Sequence, residues 1–135
     1  MSKLFAFLNP EPIKKEKDVF ISDRFRDEEG NLVPFRIRTI TQEENDRLIR
    51  KSMKTRKENG QTVEYLDTVE LTKQIVVAAV VFPDFRDKEL CDAYGTMDPF
   101  ELPGKMLRSG EYNALTKAIF TFSEVDESSF AKAKN

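Results

Sequence analysis

The chain contains no histidine, no tryptophan and one cysteine, Cys91. Each scarcity removes a class of chemistry. Without histidine there is no Ser-His or Cys-His pair to activate a nucleophile. A histidine-bearing zinc site is excluded, and one cysteine cannot build an all-cysteine site. Nor can it close an internal disulfide, which fits a reducing compartment. The 5 glycines are scattered, so no glycine-rich phosphate loop is formed. Only carboxylates and lysines remain as catalytic candidates, and no constellation with assignable roles emerges from them. The chain is therefore expected not to be an enzyme and to carry no cofactor and no metal. Long apolar runs are missing as well. The longest, 75–82, falls far short of the roughly 20 residues that cross a bilayer. The stretch 4–8 is too short for the apolar part of a signal peptide, and no small-residue cleavage site follows it. These features predict a cytoplasmic protein without a membrane partner.

What is present fits one domain of 135 residues, with 39% hydrophobic and 34% charged residues. The net charge of −2 argues against a dedicated nucleic-acid binder, which is usually strongly basic. The expected domain covers 1–125, with a β-hairpin over 17–40 and a helical part over 41–122. The polar remainder, 123–135, is expected to fray.

The apolar run 75–82 marks the core. Its β-branched residues favour a strand, but its flanks favour a helix. Asp67 followed by Glu70 is a helix-start signal. Leu71, Ile75, Ala78, Ala79 and Phe82 share a helical face, and Pro83 ends the element. The expectation is a central helix over 68–82, covered nearly all round. The fold class that follows is α+β, mainly α: an N-terminal hairpin and a small helical bundle around one central apolar helix.

In chain order, Leu4, Phe7 and Leu8 suit a short helix stopped by Pro10. It is expected to dock on its own domain; exchange onto another subunit or partner is the alternative. Strands are expected over 18–25 and 32–40. The acidic turn between them, 27–31, lacks the ligand spacing of a calcium loop. Pro34 suggests an edge strand. Phe35 and Ile37 would face one side, and Arg36 and Arg38 the other. Thr41 and Glu44 form a capping box for a helix over 42–53. That helix carries Arg47, Arg50, Lys51 and Lys54, a basic face better explained by solvation than by nucleic acid. The stretch 54–63 reads as a mobile loop. A short helix follows from about Asp87 to Gly95. Another starts at Asp98 and Pro99 and is expected to break at Pro103. The last begins at Ser109, with Tyr112, Leu115, Ile119 and Phe122 spaced for burial.

Several fragments, taken in order, resemble the XkdN-like family of phage tail assembly chaperones. The first comprises Ser22, Asp23, Arg24, Phe25, Asp27, Glu28 and Gly30. It continues through Val33, Pro34, Phe35, Ile37, Arg38, Ile40 and Thr41 to Glu44. The second is Val80, Val81, Phe82, Pro83, Asp84 and Phe85, with Glu89, Leu90, Asp92, Tyr94 and Gly95. The third is Lys105, Met106 and Leu107, with Gly110, Glu111 and Tyr112. The resemblance spans about 4–122. Pro103 departs from it, where relatives are expected to run as uninterrupted helix.

The resemblance implies a non-enzymatic phage or prophage protein that binds the tape-measure protein and keeps it soluble before the tail tube closes around it. It also implies that the chain is a short form of a protein often made in two lengths by frameshifting. A long helical partner with apolar stripes calls for an apolar groove. Phe100, Leu102, Met106, Leu107 and Tyr112 are the partner-binding candidates, Met and aromatic side chains being adaptable groove linings. Burial in an ordinary core is the default for such positions. The family reading allows self-association. The alternative function is a structural or adaptor component of the tail. A weaker one is a nucleic-acid-binding regulator using Arg47, Arg50 and Lys51.

Overall fold

A computed structural model describes residues 3–124. The chain opens with helix α1 (Leu4–Leu8). Strands β1 (Glu16–Val19) and β2 (Phe35–Arg38) follow, then helix α2 (Gln42–Lys51). Strands β3 (Met53–Glu58) and β4 (Gln61–Leu66) come next. Helix α3 (Thr68–Ala79) runs straight into strand β5 (Val80–Phe82). Helices α4 (Lys88–Ala93), α5 (Leu102–Met106) and α6 (Ser109–Ser123) complete the fold.

The class is α+β, but it is not mainly helical around one central helix. Five strands make two antiparallel sheets, one ordered β1-β2-β5 and the other the β3-β4 pair. The core is shared between sheet and helices. Phe35 and Ile37 on β2 and Val80 on β5 are buried together with Ile75, Val76, Val77 and Ala79 of α3. Leu102, Met106, Leu107, Leu115 and Ile119 close the same core from α5 and α6. Phe25 meets Phe35 edge-on at 5.4 Å between ring centroids.

Four expectations that bear on β structure are corrected. The helix over 68–82 stops at Ala79, because Val80 and Phe82 pair with Ile37 and Arg36. The β-branched run thus serves both elements, and strand pairing decides its last three residues. This pairing also makes β2 the middle strand, so Pro34 precedes a central strand rather than marking an edge. The first strand is only Glu16–Val19, and 20–34 forms a long connection closed by a bridge between Arg26 and Leu32. The supposed loop 54–63 is the β3-β4 hairpin. Its turn has Asn59 at φ 51° and Gly60 at φ 79°. That is the left-handed pair a two-residue hairpin turn requires, and Asn-Gly supplies it with little strain.

Other local signals match the structure. The Thr41 hydroxyl accepts from the Glu44 amide at 3.1 Å, and Glu44 reaches back to the Thr41 amide at 3.4 Å. The Asp67 carboxylate accepts from the Glu70 amide at 3.0 Å and caps α3. The Asp87 carboxylate caps α4 through the Leu90 amide at 3.2 Å. Pro103 does not break a helix. It lies in the first turn of α5, where a missing amide proton costs nothing. The Asp98 side chain holds only a turn, accepting from the Phe100 amide at 2.9 Å, so the helix starts later than expected. Of the tail 123–135 expected to fray, Ser123 closes α6 and Glu124 caps it, and residues 125–135 lie outside the described residues.

Candidate functional site

An apolar hollow lies between α3, α5 and α6. Its volume is about 340 Å³, and it is lined by Val69, Lys73, Phe100, Glu101, Gly104, Leu107, Ser109 and Tyr112. A second, about 360 Å³, continues along α3 and α6 past Thr68, Thr72, Asn113, Thr116 and Phe120. Val69 and Tyr112 line both, so the two hollows adjoin along one surface, called the groove below. Helical spacing makes it. Val69, Thr72 and Lys73 recur at three and four residues on α3, as do Tyr112, Thr116 and Phe120 on α6. Val69 is 66% exposed and Phe120 45% exposed, so apolar side chains stand open along its wall.

Gly104 keeps the floor of this groove low. A Cβ built there would meet nothing within 4 Å. The groove is therefore open space beside α5, not a place where the glycine admits another part of the chain. Lys73 and Glu101 join across it at 2.9 Å. That hydrogen bond raises the Lys73 pKa and lowers that of Glu101, so both stay charged near neutrality. Partial burial raises the Tyr112 pKa and keeps its hydroxyl protonated. The groove thus offers apolar walls, one neutralised ion pair and polar hydroxyls. Such a lining suits an amphipathic helix better than a small charged ligand.

Of the five candidate residues, the structure brings Phe100, Leu107 and Tyr112 to the groove. Leu102 and Met106 are buried in the core, and Leu107 is buried as well while lining the groove. Val69, Gly104 and Phe120 are among the other lining residues and were not singled out from sequence. Val69 carried a legible signal, since it sits beside the capping residues of a helix whose apolar face lies elsewhere. Gly104 carried none, because the sequence gives no hint that its neighbours leave it uncovered.

The arginines on β2 and at Arg24 are held in ion pairs. Arg36 pairs with Glu16 at 2.7 Å and with Asp18 at 2.9 Å. Arg38 pairs with Glu44 at 2.7 Å. The Arg24 guanidinium binds Glu111 through Nε at 2.9 Å and donates to the Met106 carbonyl at 3.0 Å. Hydrogen bonds, first from these arginines, hold the carboxyls of Glu44 and Glu111 down to about 2. Glu111 also accepts from the Arg108 amide at 2.7 Å and so fixes the start of α6. Lys54, expected on α2, lies on β3 and pairs with Asp67 at 2.6 Å. Arg47, Arg50 and Lys51 are exposed on α2. Among the described residues, no group of three or more acidic or cysteine side chains is placed to hold a metal ion. None of the described helices is long and apolar enough to cross a membrane.

The phage XkdN-like tail assembly chaperone family matches residues 4–132. The chain belongs to that family. Among related proteins, YqbN of Bacillus subtilis is 42% identical over 108 residues, which is 78% of this chain and 72% of YqbN. The phage-like element PBSX protein XkdN of the same organism is 39% identical over 108 residues, 78% of this chain and 73% of XkdN. The crystal structure of YqbN superposes with a TM-score of 0.73 at 32% identity, covering 90% of this chain and 96% of that one. In this XkdN-like chaperone, the first and third fragments that carry the resemblance meet in space where Arg24 reaches Glu111. Within the first fragment, Arg38 reaches Glu44.

Proposed function

We propose that this tail assembly chaperone binds the tape-measure protein and keeps it soluble during tail assembly, through the groove between α3, α5 and α6. The observation that carries the reading is the groove itself: an open apolar channel running between two helices in a protein of this family. A tape-measure protein is a long helical chain with apolar stripes, and its helices would lay those stripes against Val69, Phe100, Tyr112 and Phe120. Such binding needs no metal, nucleotide or bond-making residue. The host cytoplasm is the compartment in which it would act.

Co-expression with the tape-measure protein of the same gene cluster tests the reading. The expected outcome is a higher soluble yield of the tape-measure protein and co-purification of the two chains. A folded chaperone that neither raises that yield nor co-purifies would overturn it.

A further inference from the structure

We infer, resting on the binding proposed above, that the partner helix seated in the groove carries one side-chain amide in its apolar stripe, read by Lys73 and Glu101. Among the described residues that line the groove, these two are the only charged ones. Lys73 comes from α3 and Glu101 from the start of α5. The Lys73 ammonium donates to one Glu101 carboxylate oxygen at 2.9 Å.

The pair is far from saturated. An ammonium and a carboxylate each hold several hydrogen-bonding positions, and this contact uses one on either side. The Lys73 side chain is 28% exposed and that of Glu101 51%, so the remaining positions face solvent. The threonines further along the groove differ. Thr72 donates to the Thr68 carbonyl at 3.0 Å, and Thr116 to the Asn113 carbonyl at 3.0 Å. Those hydroxyl protons are satisfied within their own helices, so a plain apolar stripe can cover them. Ser109, Tyr112 and Asn113 add neutral groups, which cost less to cover than charge.

A helix laid in the groove covers the ion pair. An apolar residue over it would strip water from both charges and return no hydrogen bond. A charged residue would leave a balanced pair with an unmatched charge beside it. An asparagine or glutamine side chain satisfies both members: its oxygen accepts from Lys73, and its NH2 group donates to Glu101. One polar residue in an apolar stripe also fixes register, as a single asparagine does in a coiled coil. The apolar walls thus supply adhesion, and the ion pair selects which turn of the partner's stripe lies over it.

The affinity of the full chain for the tape-measure protein of the same gene cluster, measured beside the melting temperature of each variant, tests this. Lys73→Glu combined with Glu101→Lys reverses the pair. An amide turns over to suit the reversed charges, so affinity should be unchanged. Lys73→Met combined with Glu101→Leu strands the amide against apolar side chains. Affinity should then fall roughly tenfold, about what one hydrogen bond to a charged group contributes. Lys73→Ala combined with Glu101→Ala reads the same loss should that variant fold poorly. Weaker binding by the folded, charge-reversed variant would mark a charged residue over the pair. Undiminished or tighter binding by the apolar variant would mark an apolar one. Either result overturns the inference. Gly104→Gln, which fills open groove, separates the two readings. If it weakens binding while the apolar variant does not, only the amide is refuted. If none of the variants changes affinity, the groove is refuted with it.

Discussion

At the scale of single residues, the strongest electrostatic commitments are Arg24 with Glu111 and Arg38 with Glu44. Both carboxyls are held at about 2, against an ordinary value of 4.5. The unfolded chain therefore takes up these protons near 4.5, while the folded chain resists until about 2. Between those values the unfolded state binds more protons, so falling pH favours it. The contribution of both pairs is present in full above that window and lost through it. The melting temperature should fall as pH drops from about 5 to 2, and Glu111→Gln should flatten that dependence. A melting curve series for both proteins checks it. Core and groove residues separate in the same assay. Leu102 is fully buried, so Leu102→Ala should cost about 2–5 kcal/mol in a denaturant titration. Gly104 is helical with open space beside it, so Gly104→Ala should stabilise by about 0.4–1 kcal/mol through the lower entropy of the unfolded chain.

At the scale of elements, the caps were the most legible features. Thr41, Asp67 and Asp87 each announce a helix through a local hydrogen bond, and local bonds need no tertiary context. The end of α3 was not legible for the opposite reason. Leu71, Ile75 and Phe82 keep helical spacing into Phe82, and only pairing with Ile37 and Arg36, more than forty residues upstream, makes Val80 to Phe82 a strand. The β3-β4 hairpin was hidden by its exposure. β3 reads Met-Lys-Thr-Arg-Lys-Glu and is solvated on both faces, so it lacks alternating hydrophobicity. Its one clear signal was Asn59-Gly60, the usual sequence of a two-residue hairpin turn. Because β3 buries nothing, its amides should exchange with deuterium faster than those of β2, whose Phe35 and Ile37 are core residues. Gly60→Val places a branched side chain at positive φ, a cost of about 1–2 kcal/mol. It should loosen the hairpin amides in an NMR exchange experiment and leave those of β2 and α6 protected.

At the scale of the whole molecule, one core is assembled from both sheet and helices, and part of the apolar surface left over lies in two places. One is the groove along α3 and α6; the other is the α1 segment, where Phe5, Phe7 and Leu8 stand exposed rather than buried against the domain. Part of the groove was foreseeable, since Phe100, Leu107 and Tyr112 line it, but the neighbouring candidates Leu102 and Met106 face inward. Spacing shows which residues share a helix face; it does not show which neighbour covers that face. Gly104→Gln separates binding from folding most directly, because its side chain would fill open groove without touching the core. The decisive measurement is the affinity of the tape-measure protein for the wild type and for Gly104→Gln. The proposed function predicts at least a tenfold loss, about 1.4 kcal/mol, with an undiminished melting temperature. Undiminished affinity in a folded Gly104→Gln variant would contradict the assignment of this groove.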